Sequence, residues 1–245
     1  MKTVIVGYLN TLPFIQGLEH FGIEMVKAHP ADCAKILHEG GADVGLIPVG
    51  ALIKDKSYYM LDDYGISCTG EVRTVCLFGE QPVVKWERVI MDYQSRTSVL
   101  LSKILLREKW GVNPQIVEGK KGYEKEIKGN TAGLIIGDRA FDYENKFAYK
   151  YDLGAAWKAL TGLPFVFAVW VAIKPLSNTR KEQLKNALEY GIQNFHIPDA
   201  MAKLPIDVAN YFEYHIEYHI GKAKQKALQS FLIKTGKQDL KFHRL

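Results

Sequence analysis

Two short stretches of this chain combine residue types that grip an anion by amide and hydroxyl groups. The first is Tyr8-Leu9-Asn10-Thr11-Leu12-Pro13-Phe14, which follows an apolar β-branched run. Asn10 and Thr11 fall between an expected strand and an expected helix. Such side chains either cap the first turn or reach a ligand, and the preference of caps for Asn and Thr favours the cap. The second stretch is Ser95-Arg96-Thr97-Ser98, at the start of a strong amphipathic pattern. A helix beginning there offers unpaired N–H groups and the positive end of its dipole to an anion. Ser95, Thr97 and Ser98 add hydroxyl donors, and Arg96 adds a guanidinium suited to a carboxylate. The plainer alternative makes Ser95 the N-cap and leaves Arg96 on the surface.

Two further segments carry chemistry-bearing residues. Gly70-Glu71-Val72-Arg73-Thr74-Val75 leads into an apolar run, and in an extended chain Arg73 and Thr74 point to opposite faces. At most one of them then faces a cleft. Gly137-Asp138-Arg139 ends another buried run, where Asp138 caps a turn, holds a neighbouring donor or orients a substrate hydroxyl. His215 and His219 are four apart on an expected helix, a zinc-compatible spacing that lacks a third ligand at a telling distance. The chain has no GxGxxG, GxxxxGK[ST] or GxSxG, which argues against nicotinamide, nucleotide-hydrolysing and serine-hydrolase chemistry.

The elements that must position these residues alternate. Strands are expected at Thr3–Tyr8, Ile23–Ala28 and Ala42–Val49, with helices at Leu12–Phe21 and Pro30–Glu39 and a short one at Val49–Lys54. This βαβαβ order implies a parallel sheet with right-handed crossovers. Tyr58–Asp62 and Gly70–Phe78 read as further strands. A second alternation follows: strand Arg88–Tyr93, helix Ser95–Trp110, strand Gln115–Val117, short helix Gly122–Lys128, strand Thr131–Ile136 and helix Ala155–Thr161. Pro164–Ile173 is a long strand returning to the first block, and the chain from Asn178 reads as mostly helical. The fold class is therefore α/β with two lobes. Residues 1–80 and 170–245 form a discontinuous first lobe and 81–169 the second. Ligands of such sheets bind at the carboxyl ends of strands, between the lobes. The cluster Trp157, Phe165, Phe167 and Trp170 reads as core, part of which is placed to wall a ring-shaped ligand.

Composition narrows the function classes. The 245 residues carry a formal net charge of +5 with Lys and Arg scattered, so no nucleic-acid face is expected, though the field favours anionic substrates. Apolar runs are too short for a membrane span, and no signal segment is visible at the start. Cys33, Cys68 and Cys76 lack CxxC spacing and read as reduced thiols, so a cytoplasmic location is expected.

The two stretches recur in order with Asp43-Val44-Gly45-Leu46-Ile47-Pro48, Ile136-Gly137-Asp138, Asp152-Leu153-Gly154, Trp157 and Thr161-Gly162-Leu163-Pro164-Phe165-Val166-Phe167-Ala168-Val169-Trp170. Together they resemble the menaquinone-biosynthesis family of the futalosine pathway, and within it the chorismate dehydratase branch. The resemblance implies the two-lobed fold of periplasmic solute-binding proteins (type II), with no cofactor. It also implies a small dicarboxylate, chorismate, as the binding partner. A sister branch makes 1,4-dihydroxy-6-naphthoate from cyclic dehypoxanthine futalosine; its pattern after the first strand is similar to Pro-Asn-Asp-Thr, where this chain has Tyr-Leu-Asn-Thr. Thr74 stands where the family often has Ser, Thr131 where it usually has Asp, and Cys68-Thr69 replaces a Ser-rich turn. A non-catalytic carboxylate-binding protein of the same fold is the remaining alternative.

On that resemblance, Asn10, Thr74 and Asp138 are the candidate catalytic residues. Thr11, Ser95, Arg96, Thr97, Ser98 and Gly137 are the candidate substrate contacts, and no metal ligand is expected. The base is either Asp138 or the substrate's own enolpyruvyl carboxylate; the hydroxyl- and amide-rich motifs favour the second.

Overall fold

The computed structural model describes residues 1–53, 58–204, 206–236 and 243–244. The opening alternation folds as the pattern predicts: β1 (Lys2–Val6), α1 (Leu12–His20), β2 (Glu24–Ala28), α2 (Pro30–His38) and β3 (Val44–Pro48). β1 pairs in parallel with both β2 and β3. Every residue of β3 is buried, which is why its sequence is continuously apolar. β4 (Tyr59–Cys68) runs further than the expected Tyr58–Asp62. A tight turn at Val49–Ala51 replaces the expected Val49–Lys54 helix, of which Lys54 lies outside the described residues.

The chain then leaves this sheet through residues 69–74. It enters β5 (Val75–Gly79), β6 (Arg88–Met91), α3 (Arg96–Glu108), β7 (Gln115–Glu118), β8 (Thr131–Ile136) and β9 (Tyr149–Asp152). It returns by way of α4 (Leu153–Thr161) into β10 (Phe165–Ala172). The tail is α5 (Asn178–Gln193), α6 (Val208–Tyr214), β11 (Glu217–His219), α7 (Lys222–Lys234) and the two-residue β12 (His243–Arg244).

Two sheets result. The first has seven strands in the order β11-β4-β10-β3-β1-β2, with β12 beside β4; the second has five, in the order β7-β6-β8-β5-β9. β10 is antiparallel to both β3 and β4, so the returning strand sits mid-sheet. Its core side chains Trp170 and Phe165, with Trp157 of α4, are fully buried, and the Trp157 indole donates to Pro164 O at 3.0 Å.

The structure corrects several expectations. Val75–Gly79 was expected in the first lobe, but β5 is hydrogen-bonded to β8 and β9 in the second sheet. The start of β10 at Phe165, expected in the second lobe, lies in the first sheet. The predicted single strand Gly70–Phe78 begins only at Val75, because Arg73 adopts a left-handed φ of 62°. The tail is not all helix: α6 ends at Tyr214, so His215 is at a helix end and His219 is on β11. His215 Nδ1 meets Glu71 O at 3.1 Å and His219 Nε2 meets Glu189 Oε2 at 2.9 Å, so the two do not form a helix-face pair.

Candidate functional site

A cavity of about 570 Å³ of empty space, counted to its open mouth, lies where the two sheets meet. The first sheet contributes Tyr8, Asn10 and Thr11 beyond β1, Pro48 at the end of β3, and Phe167 of β10. The crossing segment contributes Thr74, and the second sheet contributes Ser95, Thr97, Ser98 and Gly137. Seven of the nine candidate residues therefore share one cavity. Its described lining is apolar, hydroxyl and amide, with no Lys, Arg, His, Asp or Glu side chain.

Arg96 is one of the two that do not reach it. It is exposed and faces outer grooves, beside Lys103 in one and Lys35 in another. An α-helix turns about 100° per residue, so a first-turn neighbour of Ser95 and Thr97 points elsewhere. Asp138 is the other. Both of its carboxylate oxygens accept the Leu9 N–H at 3.1 Å, and burial pushes its carboxyl above the ordinary carboxylate range while that N–H pulls it down. Asp138 thus ties the second sheet to the segment that carries Asn10.

Ser95 is the N-cap of α3, as its type suggests: its hydroxyl oxygen accepts the Ser98 N–H at 3.1 Å, and its O–H donates to Ser98 Oγ at 2.9 Å. Thr97 Oγ1 instead accepts the Gly50 N–H at 2.9 Å. A Cβ on Gly50 would lie 2.7 Å from the Thr97 nitrogen, so only glycine lets the Val49–Ala51 turn dock against the start of α3.

The cap expected of Asn10 or Thr11 on α1 is absent. Thr11 precedes α1 with φ −99° and ψ −4°, and its O–H is placed 2.7 Å from both Val6 O and Tyr8 O. Two physical causes act together. A preceding tight turn holds Thr11 in helical dihedrals and turns its hydroxyl back to Val6 O and Tyr8 O, and Pro13 removes one of the two N–H groups a cap can bond. Asn10 is left half-buried on the cavity wall, with its carbonyl held by Tyr218 Oη at 2.9 Å.

On the crossing segment, Asp152 accepts three backbone N–H bonds. Val72 N lies 3.1 Å from both its oxygens, Arg73 N 2.7 Å from one and Ala155 N 3.0 Å from the other. This buried carboxylate caps α4 and gathers the Val72–Arg73 turn. The Arg73 guanidinium is drawn to Glu144, with Nη2 to Oε2 at 2.7 Å, and Thr74 is the residue that lines the cavity. Gly137 N–H donates to Thr74 O at 2.8 Å. Gly137 itself has φ 67°, and an added Cβ would meet the Tyr8 ring at 3.0 Å, so both backbone and space demand glycine.

Sequence reasoning passed over several residues of this site. Tyr8 donates to Gln94 Oε1 at 2.9 Å, a second tie between the halves. Asp92, on that same loop, is paired with Arg139 and accepts Tyr123 Oη at 2.9 Å. Asp152 carried a signal, since Asp before a helical run marks an N-cap. Tyr211, a buried residue whose hydroxyl lies 3.2 Å from Thr74 Oγ1, carried none.

The family model described as menaquinone biosynthesis matches residues 1–237. The chain belongs to the menaquinone-biosynthesis family. Among similar proteins of known name is a chorismate dehydratase from Thermus thermophilus, 26% identical over 264 residues and covering 96% of each chain. A solved structure from Archaeoglobus fulgidus superimposes with a TM-score of 0.69 at 16% identity, covering 96% of both chains. A Candida albicans gene product, described as defining a family with the generic periplasmic binding protein structural fold, gives 0.66 at 14% identity, covering 98% of this chain and 92% of its own. These two likenesses concern the fold: the menaquinone-biosynthesis chain has the two-lobed architecture of periplasmic binding proteins. Among the described residues, no helix is long and apolar enough to cross a membrane.

Proposed function

We propose that this chain removes water from chorismate to give 3-[(1-carboxyvinyl)oxy]benzoate. The observation that carries the proposal is the cavity shared by Asn10, Thr74 and Ser95, walled by apolar side chains and free of charged ones. The Tyr-Leu-Asn-Thr stretch and the similarity to a dehydratase favour chorismate over the sister branch's larger substrate.

The site's residues have distinct tasks in this proposal. The start of α3, with its free N–H groups and the Ser95 and Ser98 hydroxyls, holds one substrate carboxylate. Asn10 and Thr74 donate to the anionic, ring-conjugated part of the substrate. Phe167 and Pro48 flank the ring. A proton leaves the ring carbon that bears the enol ether, and its electron pair spreads through the adjacent double bond toward the ring carboxylate. Expulsion of hydroxide from the neighbouring carbon then completes the aromatic ring. Fixed donors near that carboxylate lower the barrier because charge develops there.

The base is the substrate's own enolpyruvyl carboxylate. It takes the ring proton, gives it to the departing hydroxide, and water is the product. The uncharged lining supports this choice over Asp138, which sits on Leu9 N–H outside the cavity. Asp138→Asn keeps an oxygen for Leu9 and is expected to retain turnover within about tenfold, where loss of a general base would cost about 100- to 10,000-fold. Steady-state rates on the folded variant distinguish the two.

The substrate choice is tested by incubating the purified protein separately with chorismate and with cyclic dehypoxanthine futalosine. Following both by proton NMR, the proposal expects new aromatic benzoate signals and loss of the ring-diene signals with chorismate alone. Conversion of the futalosine derivative instead would assign the sister reaction. Chorismate bound but recovered unchanged would make the chain a binding protein.

A further inference from the structure

Tyr211 stands directly behind the two side chains assigned above to the substrate. It lies on α6, more than 130 residues along the chain from Thr74, yet is fully buried, and it does not line the cavity. Its ring packs edge-on against Phe141 of the second half, with centroids 5.2 Å apart. Its hydroxyl lies 3.2 Å from Thr74 Oγ1, and the Asn10 carboxamide is a second polar neighbour of that hydroxyl.

We propose that Tyr211 is a positioning residue that joins Asn10 and Thr74 into one hydrogen-bonded relay and sets the direction in which each presents its donor to the ligand. The proposal rests on the reading that Asn10 and Thr74 touch the substrate. A phenol has one proton to give and lone pairs to receive. Burial pushes the Tyr211 phenol far above its ordinary range, so it keeps that proton. With Asn10 donating to the phenol oxygen and the phenol donating to Thr74 Oγ1, the Thr74 proton is not taken up by the phenol. Its other contact is the Val72 carbonyl at 3.3 Å, a long and weak alternative. The proton then points into the cavity. Asn10 keeps its second N–H for the ligand. Bonds aligned head to tail in this way polarise one another, which strengthens the last donor.

Without the hydroxyl, Thr74 keeps only its contact to Val72 O and the Asn10 carboxamide loses its anchor. The ring of Phe at the same position still fills the space against Phe141, so the fold is retained.

Two measurements on the full chain test the relay. In the ligand-free protein, the side-chain amide signals of Asn10 in a nitrogen–proton correlation spectrum are expected to move in Tyr211→Phe. They should move also in Thr74→Val, which leaves Tyr211 in place and so serves if the first variant folds poorly. Signals unchanged in both variants overturn the relay. With chorismate, Tyr211→Phe is expected to lower kcat by about ten- to a hundredfold with KM within about threefold, and to cost less than about twofold when added to Thr74→Val, as coupled groups do. Equal losses in both backgrounds would mark Tyr211 as packing only. If the wild-type chain converts no chorismate, the functional proposal fails, and the amide signals still decide the relay.

Discussion

Asn10→Ala is expected to lower chorismate turnover by about 100- to 1,000-fold, the range seen when one donor to developing charge is removed from a preorganised site. The effect should fall on kcat and kcat/KM alike, since the interaction strengthens as the ring proton leaves. The surrounding backbone does not depend on the side chain. Tyr218 Oη holds the Asn10 carbonyl and Asp138 holds Leu9 N, so the segment stays in place when the carboxamide is gone. Steady-state kinetics alongside a thermal unfolding curve separate chemistry from folding. A loss below about tenfold would mean that Asn10 is not a donor to the transition state.

Asp152→Ala is expected to cost about 3–5 kcal/mol of stability, because three backbone N–H groups lose one common acceptor and each stranded buried donor costs about 1–3 kcal/mol. The bonds converge from Val72, Arg73 and Ala155, so the variant frees both the start of α4 and the turn that precedes Thr74. The left-handed Arg73 then loses its backbone anchor and keeps only the ion pair of its side chain with Glu144, and Thr74 drifts from the cavity wall. Asp152→Asn keeps a carbonyl oxygen as acceptor and should lose about 1–2 kcal/mol, as in other partial losses of a hydrogen-bond set. Urea unfolding with a constant m value checks both. An Asp152→Ala midpoint close to that of the unaltered chain would remove Asp152 from this architectural role.

Much of this arrangement was legible in the residues. The buried strand Thr131–Ile136 forms over the span its apolar run predicts, and Ser95 caps α3 as its type and place imply. Alternating runs and their strand ends point to Asn10, Thr74, Ser95 and Gly137, which line one cavity. What stayed hidden depends on contacts between distant segments. The chain changes sheets at 69–74 because a carboxylate eighty residues later collects the Val72 N–H. β9 and β11 are short, partly polar strands whose existence is decided by the neighbours they pair with. Arg96 looked like a carboxylate clamp beside three hydroxyls, but helical rotation turns it outward, and the cavity is left uncharged. Thr11 has the residue type of a cap, but its helical dihedrals and its hydroxyl's bonds to Val6 O and Tyr8 O take it out of that role.

An uncharged pocket that holds a dianion by helix N–H groups, hydroxyls and a carboxamide is the centre of the functional proposal. The most direct test is a crystal structure of the protein with 3-[(1-carboxyvinyl)oxy]benzoate bound. One carboxylate is predicted at the first turn of α3 beside Ser95 and Ser98, with the ring between Asn10 and Phe167. Density for the ligand in the outer groove beside Arg96 and Lys103, with the inner cavity empty, would contradict it.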